Sequence, residues 1–243
     1  MIAPSPFPAT RWTVVLKARR GDDAESAQQA MADLYRSYWY PLYAFARRRG
    51  LGLHDAEDLT QSFFAYLVEK NLFAAADRQI GKLRTFLLAT FDRFLGAARD
   101  RENAQKRGGP KLIEPNGAIP GEDRYAHEPA DEMTPEKLFE RTWAYATLES
   151  ALDRLAQMES DEGRATQFSE LQGFLSAAVV GEASYGQSAD RMRVSEATVR
   201  QAVSRLRKKF RGVLRQQIAD TLCEPSEAQI EEELASLRRA LRS

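Results

Sequence analysis

Between Ser195 and Phe210 the apolar residues Val199, Ala202, Val203, Leu206 and Phe210 recur at intervals of three and four, and only an α-helix gathers such positions on one face. The remaining face carries Arg200, Gln201, Ser204, Arg205, Lys208 and Lys209, so one side packs and another is left for solvent or a ligand. A shorter helix precedes it. Ser184 and Gln187 form the S-x-x-Q type of capping box, and Ala189 and Met192 fall on its inner side. The break lies at Arg193-Val194-Ser195, where Ser195 is a good N-cap and Glu196 complements the positive end of the following helix. The pair reads as a helix-turn-helix. In that motif the N-terminal residues of the second helix enter the major groove, which makes Glu196, Thr198, Arg200, Gln201, Ser204 and Arg205 candidates for base or phosphate contact. Arg207, Lys208, Lys209 and Arg211, further along, suit anchoring to the phosphate backbone. Arg193 stands where many such turns carry glycine, so the turn lacks a residue that takes a positive φ cheaply. The competing reading of a basic helix is a solvated face without a ligand.

Helical spacing continues along most of the chain and no alternating run of β-branched residues interrupts it, so the expected fold class is all-α. From Gly108-Gly109-Pro110 to Met133 the periodicity stops, and Pro115, Gly117, Pro120, Gly121 and Pro129 mark a linker rich in acids. Thr134-Pro135-Glu136 then supplies an N-cap, a proline at the first helical position and an acid in the first turn. Two small helical domains are expected, over residues 1–107 and 134–222, joined by a flexible linker over 108–133, with the second ending in the helix-turn-helix. Residues 223–243 should form an amphipathic helix: Ser226 and Gln229 repeat the capping box, and Ile230, Leu234, Leu237 and Leu241 make a stripe opposite Glu231, Glu232 and Arg238. Such a helix is expected to dock on its own domain rather than be held for a partner.

The 35 Lys and Arg balance the 35 Asp and Glu of the 243 residues, but they are segregated: cations cluster at 47–49, 99–111 and 191–215, acids at 114–140 and 224–233. Local fields matter more than the zero sum. Cys223 is the only cysteine and His54 and His127 the only histidines, which argues against a disulfide and against a structural zinc. No metal and no cofactor is expected, and no phosphate-cradling glycine loop or nucleophile elbow supports an enzyme. The first residues lack the basic start and apolar core of a signal peptide, and no run reaches the roughly 18 apolar residues of a membrane span, so a cytoplasmic protein without a membrane partner is expected.

Two further constellations lie before the linker. From His54 to Phe73, Asp55 is a natural N-cap, Ala56, Leu59, Phe63, Tyr66 and Leu67 make a packing stripe, and Glu57, Asp58, Gln61, Ser62 and Glu69 remain outside. Acids at a helix start are more often complements of its dipole than metal ligands. From Gly81 to Arg107 aromatic residues are interleaved with cations, a mixture that suits a single strand whose bases stack on rings while phosphates follow a basic track. For Phe86, Phe91 and Phe94 a core position is the simpler expectation.

Taken in order, the segments YRSYWYPLYAFARRRG, DAEDLTQSFF, RTFLLATFDRFL and AQKRGG, and then SYGQSADRM and VSEATVRQAVSRLRKKFRG, resemble a bacterial RNA polymerase sigma factor of the extracytoplasmic-function type. That resemblance implies a promoter-melting domain, then a second DNA-binding domain. It would set Asp55, Glu57, Asp58 and Gln61 against the clamp helices of the largest subunit of core RNA polymerase. The loop from Phe73 to Leu83 would capture a flipped base of the −10 element. Lys82, Arg84, Phe86, Arg93, Arg101, Lys106 and Arg107 would line the path of the melted strand. Glu196, Thr198, Arg200, Gln201, Ser204, Arg205 and Lys208 would read the −35 element as duplex. Glu122, Asp123, Asp131 and Glu132 of the linker would mimic nucleic acid in the product-RNA channel. Leu83, Phe86 and Arg93 stand where many relatives carry Phe, Trp and Asn, which implies an altered −10 preference.

The regulatory partner the resemblance leaves open is an anti-sigma factor or a Ser/Thr kinase. No anti-sigma segment can be read off, and Thr60, within the acidic helix, is the candidate phosphosite, where phosphate would add about −1.5 to −2 charge. Two other classes stay open: a one-component regulator that uses the helix-turn-helix on duplex DNA without polymerase, and, more remotely, a metal-dependent DNA enzyme built on Asp55, Glu57 and Asp58.

Overall fold

The computed structural model describes residues 24–70, 72, 82–105, 121–128, 133–175, 185–222 and 225–242. Among them the regular structure is helical and no strand occurs, so the fold is all-α. The helices are α1 (Ala24–Arg48), α2 (Leu53–Glu69), α3 (Leu83–Gln105), α4 (Glu122–Ala126), α5 (Pro135–Asp161), α6 (Ala165–Leu171) with a 3₁₀ turn at Gln172–Leu175, α7 (Tyr185–Met192), α8 (Glu196–Ala219) and α9 (Glu227–Ala240). None of the described helices is long and apolar enough to cross a membrane.

The chain forms two compact units, one of Met1–Ala146 with Ala219–Ser243 and the other of Thr147–Ile218. In the first, α1, α2 and α3 bury Leu42, Tyr43, Phe45, Phe63, Leu67, Leu87 and Phe91 almost completely. Phe63 ties α2 to α3, with its ring 4.9 Å from Phe91 and 5.6 Å from Phe94, and Phe45 brings in α1, its ring 6.2 Å from Phe91. Tilted aromatic pairs of this kind add about 0.5–1.5 kcal/mol beyond the area they bury. Helix α1 ends in a Schellman cap: Gly50, at φ +87°, donates to the Arg47 carbonyl at 3.0 Å and Leu51 to that of Ala46 at 3.2 Å. Arg99 of α3 donates to the Arg49 carbonyl at 2.7 Å and so satisfies another acceptor at the same helix end.

Helix α2 begins three residues earlier than its sequence suggests. Gly52 is the N-cap and Asp55 lies inside the first turn, where a carboxylate complements the dipole rather than capping it. The expected stripe is buried at Ala56, Phe63 and Leu67, and Thr60 and Phe64 join it.

Within 108–133, residues 121–128 are not irregular. Helix α4 lies on α1: Tyr43 and Arg47 both bond Glu122, Tyr40 donates to Glu128 at 2.9 Å, and the Arg124 guanidinium sits 4.2 Å above the Tyr40 ring. Gly121, at φ +97°, comes so close to Trp39 and Tyr40 that a Cβ would stand 3.1 and 3.0 Å from their rings. Burial and the Glu128 bond push the Tyr40 hydroxyl pKa well above its usual value. Thr134 caps α5 as expected, accepting from the Lys137 N–H at 3.3 Å.

Helix α9 carries its capping box at Ser226 and Gln229. Its buried side is Ile230, Glu233, Leu237 and Ala240, so a carboxylate shares the apolar stripe. The helix packs within the chain, in the unit of α1–α3. Glu233 is 1% exposed and pairs with Lys82 and Arg84, and a short antiparallel bridge joins Lys82 to Leu222 just upstream. A carboxylate cannot be buried alone, so those two cations fix where this helix sits. Ser184 and Cys223 lie outside the described residues.

The second unit packs Ala151, Leu155, Phe168, Leu171, Phe174, Ala189, Val199, Ala202, Val203, Leu206 and Val213 into one core. The apolar stripe read along α8 supplies four of these, with Phe210 packed at the edge.

Candidate nucleic-acid interface

Helix α7 is held from two sides. Ala189 enters the core, while buried Ser188 donates to Glu170 at 2.9 Å and Arg191 to the same carboxylate at 2.7 Å. The Arg191 bond holds the Glu170 carboxyl below its ordinary pKa. The α7 end is a Schellman cap with arginine where glycine is usual. Arg193, at φ +54°, donates to the Asp190 carbonyl at 3.2 Å and Val194 to that of Ala189 at 3.0 Å. Ser195 then caps α8, its hydroxyl accepting from the Thr198 N–H at 3.2 Å.

This geometry leaves Glu196, Thr198, Arg200, Gln201, Ser204, Arg205 and Lys208 all exposed, starting at the first turn of α8. Arg200 is oriented. Its guanidinium lies 4.5 Å above the Tyr185 ring, Tyr185 stacks at 4.7 Å on Phe174, and Glu196 accepts from Arg200 at 3.3 Å. At exposed positions such pairs contribute only tenths of a kcal/mol, enough to bias a rotamer without committing the charge. Two of the expected backbone anchors turn inward instead. Arg207 donates to the Phe174 carbonyl at 2.9 Å, and Lys209 to Glu159 at 2.6 Å and Glu162 at 3.2 Å. The Arg164 bond, followed by that of Lys209, holds buried Glu159 below its ordinary pKa. Lys208 and Arg211 stay exposed.

In the first unit a cleft of about 600 Å³ opens between α2 and α3, lined by Tyr66, Lys70, Arg93, Phe94 and Arg101 among others. The Tyr66 and Phe94 rings stand 5.2 Å apart. Arg93 and Arg101 are exposed, each with Nε bonded to its own helix at the Ala89 and Ala97 carbonyls, 3.2 and 3.1 Å away. Lys82, Arg84 and Phe86 are elsewhere. Phe86 is buried, and Arg84 is sandwiched between Glu140 at 3.0 Å, the Trp143 ring at 4.4 Å and Glu233. Lys82 pairs with Glu232 at 2.6 Å and Glu233 at 2.8 Å, and holds the Glu232 carboxyl below its usual pKa. Lys106, Arg107 and the loop residues 73–81 lie outside the described residues.

On α2, Asp55, Asp58 and Gln61 are exposed and Glu57 is half-buried, with Gln61 donating to Glu57 at 3.3 Å. Thr60 is different. It is fully buried and its hydroxyl donates to the Ala56 carbonyl at 2.7 Å, so a kinase has no access to it in this conformation. Of the linker acids, Glu122 is engaged by α1, Asp123 offers its backbone carbonyl to His127, and Asp131 and Glu132 lie outside the described residues. Among the described residues no group of three or more His, Cys, Asp and Glu is placed to hold a metal ion.

Sequence reasoning overlooked Glu233 and Tyr185. For Glu233 a signal existed: it falls three residues after Ile230 and four before Leu237, on the apolar stripe, and an acid there demands a cation. Tyr185 carried no comparable signal. Searches against protein-family models, curated proteins and solved structures find no match to the chain.

Proposed function

We propose that the chain is an RNA polymerase sigma factor of the extracytoplasmic-function type, which binds core polymerase and directs promoter-specific initiation. The observation that carries the reading is the α8 face, where all seven expected duplex-reading residues are exposed at the start of a capped helix while the apolar stripe of that helix is buried. An α-helix so presented suits the major groove, with arginines able to grip a guanine edge in two places. The α2–α3 cleft supports the second half of the reading, because aromatic rings between arginines suit an unpaired base and its phosphates. The exposed Asp58 and Gln61 suit a basic partner surface on the polymerase.

In this reading the helix-turn-helix is α7–turn–α8, −35 recognition belongs to the second unit, and melting belongs to the first. The chain acts without enzymatic chemistry of its own and works in the cytoplasm.

Gel filtration with bacterial core RNA polymerase tests the proposal, with an Asp58→Arg, Gln61→Ala variant alongside at fixed salt. Co-elution that the variant loses is the expected result. Failure to co-elute, with tight binding of duplex DNA by the chain alone, would replace it with a one-component regulator.

A further inference from the structure

We infer that α9 is an internal acidic lid, which holds Lys82 away from a nucleic-acid strand until the strand or a partner displaces it. The inference rests on the DNA reading of the first unit. Lys82 immediately precedes α3, and Arg93 follows about three helical turns later, about 16 Å on and within about 20° of the same face. A strand that runs along α3 past Arg101 and Arg93 therefore arrives at Lys82, the next cation on that track. In the structure Lys82 is taken by two carboxylates of α9, Glu232 at 2.6 Å and Glu233 at 2.8 Å. Carboxylate oxygens at these distances occupy the ammonium as phosphate oxygens would.

The two acids play unequal parts. Glu233 is buried, pairs with Arg84 as well, and is part of what seats the helix through Ile230 and Leu237. Glu232 is 60% exposed, and its first electrostatic partner is Lys82, with Arg84 and Arg239 contributing less. Arg84 keeps Glu140 and Trp143 whether or not α9 is docked, so Lys82 is the cation that undocking releases. A closed state that withholds one cation scales that cation's contribution to strand affinity by the fraction of molecules open. It also flattens the salt dependence, since salt that weakens phosphate contacts also loosens the Lys82–Glu232 pair.

The test measures binding of a short fluorescein-labelled single-stranded oligonucleotide to the full-length chain over a salt series. Leu237→Ala loosens the seat of α9 without touching a charge, and hydrogen exchange over residues 227–240 reports whether it has undocked. Undocking is expected to tighten binding about tenfold if most molecules are otherwise closed, and to steepen the slope of log K against log salt by about 0.7, the share of one phosphate on a single strand. Lys82→Gln added to Leu237→Ala should cancel both changes, and Glu232→Gln alone should give a smaller gain in the same direction. An undocked Leu237→Ala chain that binds the oligonucleotide no more tightly than the parent overturns the lid, provided that Arg101→Gln weakens both. Absence of binding by every chain overturns the lid and the DNA reading together.

Discussion

Helices α3 and α8 both read in the sequence as cation-bearing helices, yet the structure uses their charge in opposite ways. On α8 the residues Arg200, Arg205 and Lys208 are exposed, and Arg200 pairs with Glu196, itself exposed. At the start of α3, Lys82 and Arg84 are both consumed by acids that come from α5 and α9. Free charge is available to a ligand at once, whereas a half-exposed pair such as Lys82–Glu232 must open first and a buried one such as Arg84–Glu233 belongs to the fold. The count of cations in a segment therefore says less about binding than the count of acids that the fold brings to meet them.

The contrast breaks most visibly in stability. Arg84→Ala is expected to destabilise the first unit by about 3–5 kcal/mol, because it removes one of two cations from a buried carboxylate. Arg205→Ala, on the exposed face of α8, is expected to change stability by less than about 0.5 kcal/mol. Urea unfolding of both variants checks this, and equal midpoints would erase the distinction between the two helices.

Duplex binding sharpens the other side of the comparison. If α8 reads bases, Arg200→Ala should cost about 1–3 kcal/mol on the preferred sequence and less on others. Lys208→Ala should weaken all duplexes alike and reduce the salt slope by about 0.9, as the loss of one phosphate contact requires. Fluorescence anisotropy on two unrelated duplexes separates these outcomes. An equal loss on both from Arg200→Ala would make Arg200 a phosphate contact.

Lys209 is a cation of α8 that the fold already uses. Lys209 and Arg164 share Glu159, whose folded-state pKa lies below its unfolded value, so the stabilisation is present above the ordinary carboxyl value of 4.5 and is lost as pH falls through the lower folded value. Unfolding midpoints between about pH 6 and pH 3 should therefore drop on the acid side. Glu159→Gln should lower the neutral midpoint and flatten that drop. An unchanged acid limb in Glu159→Gln would assign acid sensitivity to other carboxylates.

What the sequence made legible follows the same division. The buried stripe and exposed face of α8 were readable because both depend on spacing within one helix. The ends of α5 and α9 were readable because Thr134 and Ser226 cap within their own first turns. The site of α9 docking was not, since periodicity sees Ile230 and Leu237 but cannot see Lys82 and Arg84 150 or so residues away in sequence. Thr60 looked available for the same reason. Donation of its hydroxyl to Ala56 lets threonine sit in a core, and only packing decides that. Helix α4 was hidden by its flanking prolines and glycines, which announce a break but not the aromatic face of α1 on which Tyr125 and Arg124 settle.

The smallest expected effect concerns the turn that presents α8. Among the described residues three helix ends carry the paired bonds of a Schellman cap, at Gly50, Gly163 and Arg193, with φ of +87°, +72° and +54°. Two use glycine, which meets no penalty in the left-handed region, while Arg193 carries a Cβ that costs about 1–2 kcal/mol there. Arg193→Gly removes that strain but also loosens the unfolded chain, which returns about 0.4–1 kcal/mol of the gain. The net expectation is a second unit more stable by up to about 1 kcal/mol, read as a small rise in thermal midpoint. Duplex affinity should be unchanged, because the cap bonds use only backbone atoms and the α8 face stays where it is. A fall in affinity with the stability gain intact would instead make the Arg193 side chain, exposed at the mouth of α8, a phosphate contact in its own right.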